Sequence, residues 1–192
     1  LIVKTRHEGS SKGISSHSRV ENLEALKKQV KIIHADYKQP ALVEEFIKGT
    51  EFTVAVLGNG NPQAMPVVQV SINGNLDLGD QFYTHELITS DRLQYICPAK
   101  ISKDLTKRIQ ELAVRVYKCV ECRDWGRVDF RVDEQDNPYV LEINPLPSLD
   151  VQDVFNIFPN VLGSSYNKTI NQIIDFALER YGIRETSTLS AR

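Results

Sequence analysis

Residues 125–149 read WGRVDFRVDEQDNPYVLEINPLPSL, and this stretch constrains the fold more than any other part of the chain. Two runs alternate apolar and polar side chains, and the turn-forming residues Asp133, Asp136, Asn137 and Pro138 lie between them. That pattern is a β-hairpin, and side-chain alternation sets its register. Pairing Val128 with Ile143, Phe130 with Leu141 and Val132 with Tyr139 makes one continuous apolar face. The same register sets Asp129 opposite Glu142 and Arg127 opposite Asn144 on the other face. Cross-strand Cβ atoms lie about 5 Å apart, so two carboxylates, a carboxamide and a guanidinium are expected to gather. A hairpin that needed only stability would carry Thr or Lys there.

Two carboxylates this close repel unless something positive sits between them. Asp, Glu and Asn offer only oxygen ligands, which suits a hard cation such as Mg2+. Arg127 on the same face is available to hold an anion beside the metal. From the hairpin alone, a solvated face with an Arg–carboxylate pair accounts for the pattern equally well.

The chain has 192 residues, enough for one large domain or two small ones. At 41% hydrophobic and 25% charged it has the composition of an ordinary soluble globular protein. A formal charge of -2 gives no global attraction to nucleic acid or anionic lipid. No apolar run approaches the roughly 18 residues needed to span a bilayer. The opening LIVKTRHEGSS is too poor in apolar residues for a signal peptide. A cytoplasmic protein without nucleic-acid or membrane partners is expected. Leu1 to Lys4 reads as the end of a buried strand with nothing before it, so a fragment is expected. Cys119 and Cys122 form a CxxC, but no second ligand pair follows at zinc-site spacing. Reduced cysteines near a helix end are the expectation.

Along the chain, the strand at residues 1–4 leads into a Gly/Ser-rich loop, Glu8-Gly9-Ser10-Ser11-Lys12-Gly13. Leu23, Leu26, Val30 and Ile33 recur at helical spacing, which predicts a helix over 21–34. Strands are expected at 41–47, 51–57 and 64–70, with Lys48-Gly49-Thr50 turning between the first two. Residues 73–92 are polar and without period, which predicts a long loop. Leu105, Ile109, Leu112, Val116 and Val120 form a second helical stripe with Ser102 as its N-cap. After the hairpin come a proline-punctuated loop over 145–159 and a helix carrying Ile170, Ile173, Ile174, Ala177 and Leu178, closed by Gly182. The tail from 184 is polar and expected to fray. The fold class is α+β with a mainly antiparallel sheet flanked by helices.

Two further motifs bear on chemistry. The stretch KTRHEGSSKG follows a strand, and its loop can turn backbone N–H groups toward phosphates, with Lys4 adding charge. It lacks the GK[ST] ending of a Walker loop. In LVEEFIKGTEFTV, extended backbone at Glu45 to Ile47 can offer an amide and a carbonyl to a purine edge, and Glu51 can accept from ribose hydroxyls. An edge strand charged against aggregation gives the same sequence.

Taken in order, EGSSKG, KGTEFTVAVL, QYICPA, WGRVDF and LEINPLPS resemble the ATP-grasp superfamily, and within it the D-alanine–D-alanine ligase group, over roughly residues 1–181. The resemblance implies an ATP-grasp fold. It divides the chain into the remainder of a central subdomain over 1–56, a C-terminal catalytic subdomain over 57–183 and a tail over 184–192. It also implies that Lys4 contacts ATP phosphates while Gly9, Ser10, Ser11 and Gly13 close over them. Glu44 would bind the adenine amino group, Glu45 and Ile47 would supply hinge backbone, and Glu51 would hold the ribose. Asp129, Glu142 and Asn144 match ligands of two Mg2+ ions, with Mn2+ also compatible and Glu142 bridging. Arg127 matches the arginine that steadies the transferred phosphoryl group and the tetrahedral intermediate.

The implied reaction joins a small-molecule carboxylate to an amine through an acyl phosphate, and a homodimer is one assembly the resemblance allows. The chain departs from the family pattern at several positions. Thr5 replaces a proline, Ser148 replaces a glycine, and Asp153 stands where the ligases use a serine near the second substrate's carboxylate. No lysine occurs between Lys48 and Lys100, where the family supplies one to the phosphates; Tyr83, His85 and Arg92 are the residues available in its place. A nucleotide-binding regulatory or assembly module without catalysis is the competing expectation.

Overall fold

The computed structural model describes residues 1–88, 90–150 and 153–183. Its contacts divide the chain into two compact units, one of Leu1–Gly49 with Ser71–Gln94, the other of Thr50–Val70 with the described residues from Tyr95 onward. The boundary expected at residue 56 falls inside a strand; the units part at Gly49. The tail expected over 184–192 lies outside the described residues.

In the first unit, β1 (Ile2–Thr5) pairs antiparallel with β2 (Ala41–Glu44), Ile2 opposite Glu44 and Thr5 opposite Ala41. Between them runs α1 (Leu23–Tyr37), whose N-cap Asn22 accepts from the Ala25 amide. Leu26, Val30 and Ile33 share one side of that helix, and Ile33 is buried with Val3 and Val20. Lys38 closes α1 in the left-handed region, φ 54. The strand expected to reach Ile47 stops at Glu44. The expected loop over 73–92 carries one turn of helix, α2 (His85–Ile88).

The second unit is built around β3 (Thr50–Leu57) and β7 (Trp125–Val132), antiparallel along their whole length from Thr50 opposite Val132 to Leu57 opposite Trp125. Also in this part of the chain are β4 (Gln63–Ala64), β5 (Val68–Ile72), β6 (Leu93–Ile96) and β8 (Pro138–Asn144), and the sheet order is β6-β5-β3-β7-β8 with β4 beside β3. The strand expected over 64–70 is interrupted at Pro66, which has no N–H for a ladder. Alternation sorts the two central strands into two faces. Phe52, Val54 and Val56 of β3 join Val128, Phe130 and Val132 of β7 against Leu105, Ile109, Ala113 and Tyr117 of α3 (Lys103–Cys119). Ser102 caps α3 as expected, accepting from the Leu105 amide. On the opposite face Ala55, Leu57 and Val68 pack with Val154, Phe155 and Phe158 of α4 (Val154–Val161). The 145–159 stretch is therefore not loop throughout, because its apolar residues close this second core. α5 (Tyr166–Arg180) adds Ile173 and Phe176 to the same core, and Gly182 follows at φ 67.

The hairpin register is part expected and part corrected. Arg127 faces Asn144, Val128 faces Ile143 and Asp129 faces Glu142. A bulge then shifts the pairing, so that Phe130 faces Val140 and Val132 faces Pro138, where Leu141 and Tyr139 were expected. The turn explains it. Asp133 accepts from the amides of Gln135 and Asn137 and closes a loop that fixes Val132 on Pro138. The other end of the hairpin demands a register one residue longer, and the bulge absorbs the difference. The continuous apolar face consequently ends near Ile143, and Tyr139, Val140 and Leu141 are exposed.

One buried carboxylate fastens α5 to this sheet. Asp124 accepts from the Arg180 guanidinium, with Nη2 to Oδ2 at 2.7 Å, and from Asn59 Nδ2 at 2.8 Å. Burial would raise the Asp124 pKa, but the hydrogen bonds from Arg180 and Asn59 and the charge of Arg180 outweigh it, and the carboxyl is held below its ordinary value. A group depressed in the folded state stabilises the fold above its unfolded pKa, about 3.9 for Asp. It stops doing so as pH falls through the folded value. Asp124→Asn should therefore cost about 1–3 kcal/mol at neutral pH, read by urea denaturation. The gap to the unmutated protein should narrow as pH is taken below the ordinary Asp value of about 3.9; a gap that does not change with pH would mean the ionised carboxylate is not what holds α5.

Candidate active site

Alternation along β7 turns Val128 and Phe130 into the core under α3 and leaves Arg127 and Asp129 on the other face, where Ala55 and Thr53 of β3 lie directly opposite them. The Arg127 guanidinium grips Asp129 with two bonds, Nε to Oδ1 and Nη2 to Oδ2, both 2.9 Å. This is the fork geometry that makes arginine–carboxylate pairs strong. Thr53 Oγ1 donates to the same Oδ1 at 2.6 Å. From β8, Asn144 Nδ2 donates to Asp129 Oδ2 at 2.9 Å and to Glu142 Oε1 at 3.0 Å. Asp153, the N-cap of α4, lies 3.6 Å from Arg127 Nη1 and accepts from the Val154 amide at 2.6 Å. Burial alone would lower the Arg127 pKa; the charges of Asp129 and Asp153 and the hydrogen bonds to Asp129 reverse that and raise it above its ordinary value. The guanidinium is a permanent cation.

The expected cluster of Arg127, Asp129, Glu142 and Asn144 is thus assembled, and Asp153 joins it. Among the described residues no three His, Cys, Asp or Glu side chains gather as a metal-binding group; Asp129, Glu142 and Asn144 offer two carboxylates and a carboxamide. These donors suit a hard cation. One oxygen of each carboxylate converges on the Asn144 amide group, and a turn of that amide would present its oxygen at the same place, giving an all-oxygen set.

The other candidates are distributed as follows. Lys4 and Glu44 pair with each other across β1 and β2, Nζ to Oε2 at 2.6 Å. Glu45 is exposed and Ile47 half-buried beyond the end of β2. Gly9, Ser10, Ser11 and Gly13 lie in one loop whose backbone is left-handed at Ser10, Ser11 and Gly13 (φ 53, 51 and 82). A Cβ on Gly13 would meet Thr5 Cγ2 at 2.5 Å, so only glycine fits there. Glu51 is buried on the polar face of the larger sheet, ion-paired with Arg131 directly opposite it. Ser148 is exposed, and its Oγ accepts from the Asp150 amide.

Sequence reading missed Thr53 and Arg131. Both were reachable by alternation, Thr53 two residues from Glu51 and Arg131 two from Asp129, but only with the knowledge that β3 lies beside β7. Among the described residues no helix is long and apolar enough to cross a membrane.

Comparison with known proteins adds a family. Residues 1–175 match the family model described as D-ala D-ala ligase C-terminus. The D-alanine–D-alanine ligase of Janthinobacterium sp. (strain Marseille) is 39% identical over 180 residues, 92% of this chain and 53% of that protein. That of Herminiimonas arsenicoxydans is 37% identical over 177 residues, 91% of this chain and 50% of that protein. Among solved structures, the D-alanine–D-alanine ligase from Coxiella burnetii superposes with a TM-score of 0.73 at 26% identity, over 95% of this chain and 46% of that one. The VanG D-Ala:D-Ser ligase from Enterococcus faecalis gives 0.73 at 25% identity, over 91% and 48%. The chain spans about half the length of the curated relatives it matches. The match over residues 1–175, carried on an antiparallel sheet flanked by helices, means that the chain belongs to the family of D-alanine–D-alanine ligase C-terminal domains and has their ATP-grasp fold.

Proposed function

We propose that this chain is the catalytic portion of an ATP- and Mg2+-dependent ligase that joins a small-molecule carboxylate to an amine through an acyl phosphate. The observation that carries the reading is Arg127 in the same cluster as Asp129, Glu142 and Asn144. A carboxylate resists attack by an amine because the leaving group would be oxide. Transfer of a phosphoryl group from ATP to the carboxylate oxygen forms the acyl phosphate; the amine then attacks the acyl carbon and inorganic phosphate departs. The charge that moves during these steps needs fixed countercharge more than it needs covalent chemistry. Arg127 supplies a permanent cation whose direction is set by Asp129 and Asp153. A divalent cation held by Asp129, Glu142 and Asn144 would neutralise the nucleotide phosphates. Thr53 and Asn144 fix the rotamer of Asp129 before any ligand arrives.

Lys4 and the Gly9–Gly13 loop are the phosphate contacts in this reading, Glu44, Glu45 and Ile47 the adenine contacts, and Glu51 the ribose contact. The curated ligase relatives favour an enzyme over a binding module, as does an arginine kept beside Asp129, Glu142 and Asn144. The absence of lysine between Lys48 and Lys100 is the one feature that favours the module. ADP release in the presence of a panel of amino acids separates the two.

Glu142→Gln keeps the shape and removes one charge from the acidic face. It should weaken Mg2+-dependent ATP binding while leaving Val128, Phe130 and Ile143, and hence the fold, intact. Calorimetry giving the same MgATP affinity for both proteins would sink the metal assignment.

Asp153 bears on the acceptor. Two carboxylates about 4 Å apart cost on the order of 4 kcal/mol at an effective dielectric near 20. Arg127 and the α4 amide it caps offset part of that charge. An acceptor with a free carboxylate at this place should still be disfavoured. Asp153→Ser should raise kcat/KM for D-alanine as acceptor by about tenfold or more, equivalent to about 1.4 kcal/mol; efficient D-alanyl-D-alanine synthesis by the unmutated enzyme would overturn the assignment.

A further inference from the structure

The Gly/Ser loop has a backbone that local sequence does not favour. Ser10 and Ser11 are consecutive non-glycine residues in the left-handed region, a conformation that L side chains disfavour and that persists only where the surroundings enforce it. Part of the enforcement is local: Thr5 Oγ1 donates to the Lys12 carbonyl at 2.8 Å, and the Lys12 and Ile14 amides return to the carbonyls of Gly9 and Ser11. Gln39 ties down the entry, accepting from the His7 amide and donating to Glu8. Two further contacts come from far along the chain. The ring Nδ1 of His85, first residue of α2, bonds the Ser10 carbonyl at 2.9 Å, and the His85 amide donates to the Ile14 carbonyl at 3.3 Å. A carbonyl can only accept, so Nδ1 carries the proton.

This contact has a consequence for anions. The Ser10 carbonyl and the Ser11 N–H belong to one planar trans peptide, so fixing the carbonyl fixes the N–H on its opposite side. A loop that receives phosphate must turn its carbonyls away and its N–H groups inward. His85 holds the one peptide that joins the two left-handed serines. Of the other residues available in place of the family's loop lysine, Arg92 is turned to its own segment, its Nε donating to Asn73 Oδ1 at 2.9 Å.

We infer that His85 is the positioning residue of this phosphate loop, ordering the Ser10–Ser11 peptide by hydrogen bond; the inference rests on the ligase reading, which makes the loop a phosphate contact. Two variants test it. His85→Leu removes the ring donor, and His85→Asn keeps an N–H donor close to the Nδ1 position. MgATP and adenosine affinities are measured for each by calorimetry or NMR titration, with trypsin cleavage after Lys12 as a direct reading of loop order. His85→Leu should weaken MgATP binding on the order of tenfold, leave adenosine unchanged and speed cleavage after Lys12. His85→Asn should stay within about twofold of the unmutated chain for MgATP, as one retained hydrogen bond predicts. Unchanged MgATP affinity in His85→Leu overturns the inference and leaves the ligase reading standing. Equal loss of MgATP and adenosine also overturns it, since that marks a general structural role. A folded, unmutated chain that binds MgATP no better than adenosine overturns both.

Discussion

The Arg127 guanidinium and the carboxylates that surround it set the conditions for everything else on the polar face of the larger sheet. Asp129 holds it by two bonds and Asp153 approaches from the start of α4, while Glu142 is linked to the group through Asn144. Three carboxylates around one guanidinium leave the cluster net acidic. Such a face cannot receive a polyphosphate unless further positive charge comes with it. In the ligase reading proposed above, a divalent cation held by Asp129, Glu142 and Asn144 would supply that charge. Asp153 has a second place in this balance, because capping α4 commits its carboxylate to a backbone amide as well as to Arg127.

The acidic residues expected to bind nucleotide differ in how readily they can do so. Glu44 is bonded to Lys4, with about two-fifths of the Glu44 side chain and one-fifth of the Lys4 side chain exposed, and a partly exposed pair is screened by water more than a buried one. A phosphate could take Lys4 from it at small cost. Glu51 and Arg131 are both nearly enclosed, and breaking a buried pair by drawing off one partner costs several kcal/mol. Glu51 will therefore stay paired. A ribose hydroxyl that reached it would share the carboxylate with Arg131 rather than replace it.

What the sequence disclosed and what it hid follow the same physical division. The Arg127–Asn144 and Asp129–Glu142 pairings could be read because alternation along two adjacent strands is local information. Phe130 and Val132 were paired wrongly because register near the turn is decided by Asp133 and its amide contacts, which compete with alternation. α4 was hidden by the prolines around and within it, with Pro159 lying inside the helix. β6 was hidden because it runs from a polar stretch into the QYICPA motif. The partners of Asp129 and Ser10 could not be read at all. Thr53 lies 76 residues from Asp129 and His85 lies 75 from Ser10, and only a known strand order or loop path brings such residues together.

The bulge in the hairpin explains how a turn and a site with incompatible registers coexist. Strand pairing has a period of two, so a one-residue slip carried through to Asn144 would send Asn144 and Glu142 to the core face and Ile143 to the polar one. The extra residue at Leu141 stops the slip between Asp129 and Phe130. On the turn side the strand gives up apolar burial, and Tyr139, Val140 and Leu141 are left exposed. On the site side Ile143 stays against the core under α3 while Asn144 keeps both carboxylates within hydrogen-bond reach. Apolar burial is surrendered beside the turn, and register is preserved where Asp129, Glu142 and Asn144 meet.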